Sequence, residues 1–231
     1  MSDIGLFEAI YSSRALRRFR SDPVPEELLT KILDAAIRAP SAGNAQSWAF
    51  VVVRDQEVKQ QLGAIYRKAA DTISGFYAAR GRPAHMTEDQ YRRLMSSGSY
   101  LWDHIAEAPV LLVPCNKPQG LPPPAALSDD VREKLDVAIA CRPRIEAASI
   151  YPAVQNIILA CRALGLATVI TTNHLLYEDE VRQILGIPAE VDTYALMPIG
   201  YPVDKFGPVI RRPLHEVARA DRWSNPWPAK A

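Results

Sequence analysis

Four arginines crowd the stretch "SSRALRRFR", with Arg14 and Arg17 three apart and Arg18 and Arg20 following. Guanidinium forks match the oxygens of a phosphate in pairs, and on a turn of helix residues three apart point the same way. The chemistry open to Arg14 and Arg17 is therefore anion holding; the alternative is a solvated basic face. A second cluster is "APSAGNAQSW", residues 39–48. Asn44 and Gln46 each carry a donor and an acceptor, and Gly43 lets backbone approach closely, so the stretch suits the polar edge of a flat heterocycle. A helix cap running into a strand would explain Ser41 and Gly43 but not Asn44, Gln46 and Trp48 together. The third cluster is "GLATVITTN", where Thr171 and Thr172 end a buried strand. Strand ends are common ligand positions, although β-branched threonine also simply fills strands.

Other chemistries lack their residues. No G-x-G occurs, so the dinucleotide fingerprint, the kinase glycine loop and the P-loop are missing, and there is no G-x-S-x-G elbow. The three cysteines form no C-x-x-C and the four histidines no H-E-x-x-H, which argues against a metal. A net charge of +1 gives no global pull toward nucleic acid. The start of the chain lacks a signal-peptide pattern, and no apolar run reaches the ~18 residues of a membrane span. The expectation is a cytoplasmic protein with no nucleic-acid or membrane partner.

The elements that must position these clusters follow from periodicity. With 231 residues, 48% of them hydrophobic, the chain can bury one substantial core. Helices are expected at 3–11, 25–39 (ended by Pro40), 56–78, 146–165 and 177–185. Strands are expected at 48–53, 109–114, 166–172 and 193–200. The helix at 146–165 is apolar nearly all round and belongs in the middle of the protein. Residues 79–103 read as mixed and 116–126 as a proline-rich loop. The fold class is α/β or α+β, without a repeat or a dividing linker.

The stretch "SSRALRRFRSDPVPEELLTKILDAAIRAPSAGNAQSWAFVVV" resembles the amino-terminal signature of the FMN-dependent nitroreductase family, roughly R-R-S-x-R-x-F, P-V-P, then A-P-S-x-x-N-x-Q-P-W. The likeness continues in "AVQNIILACRALGLATVITT", "GIPAEVDTYALMPIGYP" and "IRRPLHEV", and more loosely in "LWDHIAEAPVLLVP". Ser13, Ala15, Ser47 and Ala167 depart from the usual residues.

The resemblance implies an α+β fold: a central mixed, mainly antiparallel sheet flanked by helices, in an intertwined homodimer. Residues 1–231 would form one FMN-binding domain, with a lid at about 70–130 and a carboxy-terminal arm at about 208–231 lying on a neighbour. By position, Arg14, Ala15 and Arg17 would hold the FMN phosphate with Arg211, or with the adjacent Arg212. Pro40, Ser41, Asn44 and Gln46 would line the flavin, partly from the partner subunit. Thr171 and Thr172 would lie near the flavin N5 edge, with Thr172 the candidate hydroxyl for tuning it. The lid aromatics and cations would be Tyr77, Tyr91, Arg92, Arg93, Tyr100 and Trp102. The implied activity is ping-pong hydride transfer from NADH or NADPH through FMN to a small aromatic nitro or quinone acceptor. The alternatives are reductive dehalogenation of halogenated phenols and flavin binding without turnover.

Overall fold

The structure, a computed structural model, describes residues 4–227. Strands β1 (Trp48–Val53), β2 (Val110–Asn116), β3 (Ala167–Thr168), β4 (Asp192–Thr193) and β5 (Met197–Gly200) form a five-stranded sheet. The order is β1-β2-β5-β3, and β4 extends the β5 side of β2 by pairing with Cys115 and Asn116. All of these pairings are antiparallel, so the sheet is more uniform among the described residues than the mixed one expected.

Strand β2 organises both cores because it is buried along its whole length. Successive side chains of a strand point to opposite faces. Val110 and Leu112, with Met197 and Ile199 of β5, face helices α2 (Glu26–Ala36) and α6 (Leu135–Ala163). Leu111, Val113 and Cys115 face α3 (Gln56–Arg80), α4 (Glu88–His104) and α7 (Glu178–Leu185), through Leu62, Leu101 and Val181. Helix α2 has the apolar spacing of one buried face, and Leu28, Leu29, Ile32 and Ala36 are all inside. Each large side chain so buried contributes roughly 1.5–3 kcal/mol relative to exposure. Gly200 ends β5 where a Cβ would lie 2.7 Å from Pro109 Cδ, so only a residue without one fits.

Four segments differ from the sequence expectation, and one is the strand expected at 193–200, which is split into β4 and β5. Residues 88–104 are a regular helix, begun by a reciprocal cap between Thr87 and Gln90. Helix α6 begins at Leu135, eleven residues earlier than expected, and contains both Pro143 and Pro152. Only its carboxy-terminal half is central: Ile150, Ala153, Ile157 and Cys161 are wholly buried, whereas Val137, Ile139 and Ile145 are more than half exposed. The strand expected at 166–172 pairs in the ladder only over Ala167–Thr168 and returns as one bridge, Thr171 to Leu196.

Short helices α1 (Leu6–Ser12), α5 (Asp129–Arg132) and α8 (Leu214–Val217) complete the chain. Residue 3 of the first expected helix and residues 228–231 of the arm lie outside the described residues. The arm is tied to α1 by the Val209 N–H, which donates to the Tyr11 carbonyl at 3.1 Å. Within the range 70–130, β2 belongs to the sheet, which leaves the end of α3, α4 and the segment 117–130 as lid candidates. Among the described residues no helix is long and apolar enough to cross a membrane.

Candidate functional site

Two cavities meet at the end of β3, where Val169 and Ile170 line both. The first, of about 390 Å³, gathers Arg14 and Ala15 from the segment after α1, Gln155 from α6 and Arg211 from the arm. Two of the arginines expected to hold an anion thus converge. Arg212, the adjacent alternative, is not on this lining.

Arg17 goes elsewhere. Helix α1 ends at Ser12, so residues 13–18 are not helical and the argument that residues three apart point the same way does not apply. Arg17 lines the second cavity, of about 340 Å³, and its Nη1 donates to Ser97 Oγ at 3.2 Å and to the Ala15 carbonyl at 3.4 Å. Burial lowers its pKa, with Tyr66 close by pulling the other way, but an arginine stays protonated through any such shift. Burial likewise raises the Tyr66 hydroxyl, against a Thr171 hydrogen bond and the Arg17 charge.

The two threonines differ. Thr171 is buried, and its hydroxyl donates to the Leu196 carbonyl at 2.7 Å, holding the strand end to the sheet. Thr172 is exposed on the lining of the second cavity. A short 3-10 helix, Asn173–Tyr177, follows it directly and is anchored by wholly buried His174. The His174 Nε2 lies 3.1 Å from Thr193 Oγ1, and that hydroxyl donates to Glu178 Oε1 at 2.8 Å. Because Thr193 gives its proton to Glu178, His174 donates from Nε2. Its buried Nδ1 has no partner among the described residues, and burial lowers the imidazole pKa to about 4.

Of the expected lid residues, Tyr77, Tyr91 and Trp102 line the second cavity. Arg92 pairs with Asp89 at 3.2 Å, Arg93 donates to the Asp89 carbonyl, and Tyr100 is stacked on His104 beneath Arg18; none of the three lines the cavity. Sequence reasoning missed Tyr66, Arg80 and Ile170. Tyr66 sits on the apolar face of α3 like any core aromatic, and Ile170, in an apolar run, gives no sign that it is 39% exposed.

The loop after α2 lies apart from both cavities. Pro40, Ser41 and Ala42 line a hollow with Cys141, Arg144 and Ser149 of α6, and none of these residues borders the other two. Ser41 Oγ accepts from the Gln46 N–H at 3.0 Å, and Ser47 Oγ donates to Asn116 Oδ1 at 2.6 Å, so both serines hold the loop. The Ala42 N–H docks it on Ser149 Oγ at 3.1 Å. Gly43, Asn44 and Gln46 all have positive φ, at 58°, 53° and 50°. Two of these are not glycine, and such strain is concentrated at ligand sites. Asn44 and Gln46 are exposed, joined through Gln46 Nε2 to Asn44 Oδ1 at 3.2 Å.

The profile described as "Nitroreductase family" matches residues 10–201. The chain belongs to the nitroreductase family. Among curated relatives, a Thermus thermophilus protein described as NADH dehydrogenase is 34% identical over 210 residues, covering 90% of this chain and 92% of the relative. Iodotyrosine deiodinase 1 of Rattus norvegicus is 27% identical over 196 residues, covering 85% of this chain and 61% of that protein. Among solved structures, iodotyrosine deiodinase bound to FMN and 3-iodo-L-tyrosine superposes with a TM-score of 0.67 at 23% identity, covering 94% of this chain and 99% of that one. That likeness establishes the nitroreductase-like fold.

Proposed function

We propose that two copies of this chain bind FMN at their interface and use NADH or NADPH to reduce a small aromatic nitro or quinone acceptor. The observation that carries the reading is the convergence of Arg14 and Arg211 on one cavity, joined at Ile170 to a second cavity walled by aromatic side chains. The residues suit the cofactor: two guanidiniums for a phosphate dianion, exposed Ile170 as apolar surface against a ring, and the Thr172 hydroxyl beyond it. Bound there, FMN supplies hydride acceptance from the nicotinamide and delivery to the acceptor.

The chain's own part is position and charge. Arg14 and Arg211 would fix the phosphate. Arg17 would place a desolvated positive charge on the ring side, where it favours a flavin carrying extra negative charge. Thr171 and His174 would hold the backbone so that the Thr172 hydroxyl is fixed. The Ser41–Asn44 loop would close the ring from the partner subunit, since in one protomer it lies apart from the arginine cavity. The exposed apolar side chains of Leu6, Phe7, Val137 and Ile139 offer surface for that partner. The similarity to the deiodinase supports a second reading, reductive removal of halide from a halogenated phenol at the same place.

The test is to add FMN to purified protein, remove free flavin, record the visible spectrum, and follow NADH and NADPH oxidation with menadione or nitrobenzene. Retained flavin and turnover well above the free-flavin rate are expected. Retained flavin without oxidation of either nucleotide would leave a flavin-binding protein without turnover, and no retained flavin would sink both.

A further inference from the structure

The cavity between α3, α4 and the end of β3 holds, beside Arg17, a second positive charge at Arg80 to which the flavin reading gives no part. Its walls include Tyr77, Tyr91, Leu94, Met95 and Trp102, and its only charged lining residues among those described are Arg17 and Arg80. Among the described residues no aspartate or glutamate borders it. Neighbouring arginines have acid partners: Arg67 pairs with Asp71 and Asp103, Arg82 with Glu88, and Arg92 with Asp89. Arg17 has only the Ala15 carbonyl, the Ser97 hydroxyl and the nearby Tyr66, and Arg80 forms no ion pair among the described residues.

We infer that this cavity takes a flat aromatic acid, a ring bearing a carboxylate and no ammonium group. The inference rests on the flavin reading for its claim that the ligand is the electron acceptor. The rings of Tyr77 and Trp102, 6.5 Å apart and tilted by 30°, and the nearby Tyr91 offer faces for an aromatic ring. Arg80, the last residue of α3 before Gly81 turns the chain, offers a carboxylate two parallel donors, and Arg17 adds to the positive potential. An ammonium group would meet two guanidiniums and no acid, a like-charge arrangement that selects against it. A cavity of about 340 Å³ is in the range of small-ligand sites, roughly 300–1,000 Å³. The pattern also bears on the halogenated-phenol reading: a halotyrosine brings an ammonium group that nothing here neutralises, whereas the same phenol on a propanoate chain does not. The alternative role for Arg80 is to complement the carboxy-terminal end of the α3 dipole, which predicts no ligand preference.

The experiment uses FMN-loaded protein and a matched series of 4-nitrobenzoate, 4-nitrobenzamide and 4-nitrobenzylamine, with binding followed by calorimetry and by the flavin spectrum. A second pair is 3-iodo-L-tyrosine against 3-(4-hydroxy-3-iodophenyl)propanoate. The acid is expected to bind about tenfold more tightly than the amide, with the amine weakest, and the propanoate more tightly than the amino acid. Arg80→Gln should bring the acid down to the level of the amide while the affinity for the amide and the bound flavin are unchanged, and Arg80→Lys should restore part of the difference. An acid that binds no better than the amide, or a preference that survives Arg80→Gln, overturns the inference while the flavin reading stands. A preference retained by protein that takes up no FMN overturns the flavin reading and supports the anion site alone.

Discussion

Thr171 and Thr172 are neighbours with different work: the first gives its hydroxyl to Leu196, the second is exposed on the lining of a cavity. His174 stands just behind them, and its burial has a measurable consequence. In the fold its imidazole stays neutral down to about pH 4, whereas in the unfolded chain it takes up a proton near 6.5. The unfolded state therefore binds more protons between these values. Stability is undiminished above about pH 6.5 and is lost as pH falls toward 4, by about 3 kcal/mol in all. His174→Phe should be less stable at pH 7, with Thr193 left short of a partner, yet show a flatter fall in urea midpoint between pH 7 and pH 4.5. A slope equal to that of the unmodified protein would remove His174 as the cause. At this scale the sequence was a partial guide. Arg14 and Arg211, paired by the family resemblance, do line one cavity, but the direction of Arg17 depends on the chain leaving the helix at Ser13, which residue spacing does not reveal.

Among the elements, α4 shows what a hidden cap can do. The run "MTEDQ" has the S/T-x-x-E/Q form, and Thr87 and Gln90 make both of its reciprocal hydrogen bonds. Gly98 and the serines around it made the segment look irregular, although a glycine inside a helix costs only about 1 kcal/mol and tertiary packing at Leu101 outweighs it. Thr87→Ala should cost about 1 kcal/mol and speed hydrogen exchange across the first turns of α4. Since Tyr91 is carried on those turns, the acceptor KM should rise more than kcat falls. Unchanged exchange over residues 88–92 would show that packing alone holds the helix end. Helix α6 starts well before the 146–165 expected from the apolar pattern, at Leu135. It continues through Pro143, because a proline removes one hydrogen bond and kinks a helix without having to end it.

At the scale of the whole molecule, the apolar pattern pointed to central strands among helices and the resemblance to a sheet flanked by helices; β2, which buries both of its faces, is where the two agree. The apolar pattern was not enough to foresee how far apart the polar clusters would lie. Residues 40–46 and the Arg14–Arg211 cavity are each well built, yet they open on separate parts of one protomer. That separation ties cofactor occupancy to assembly on the proposed reading, because whatever binds only the dimer must also strengthen it. Stepwise dilution of the loaded protein should release flavin in step with the appearance of monomer in sedimentation, and excess FMN should lower the apparent dimer dissociation constant. Flavin that stays with isolated monomer would break the link. If it holds, the dependence of activity on concentration is steeper than proportional: halving the supply of chain removes more than half of the working sites, so its abundance acts as a control on turnover without any regulator.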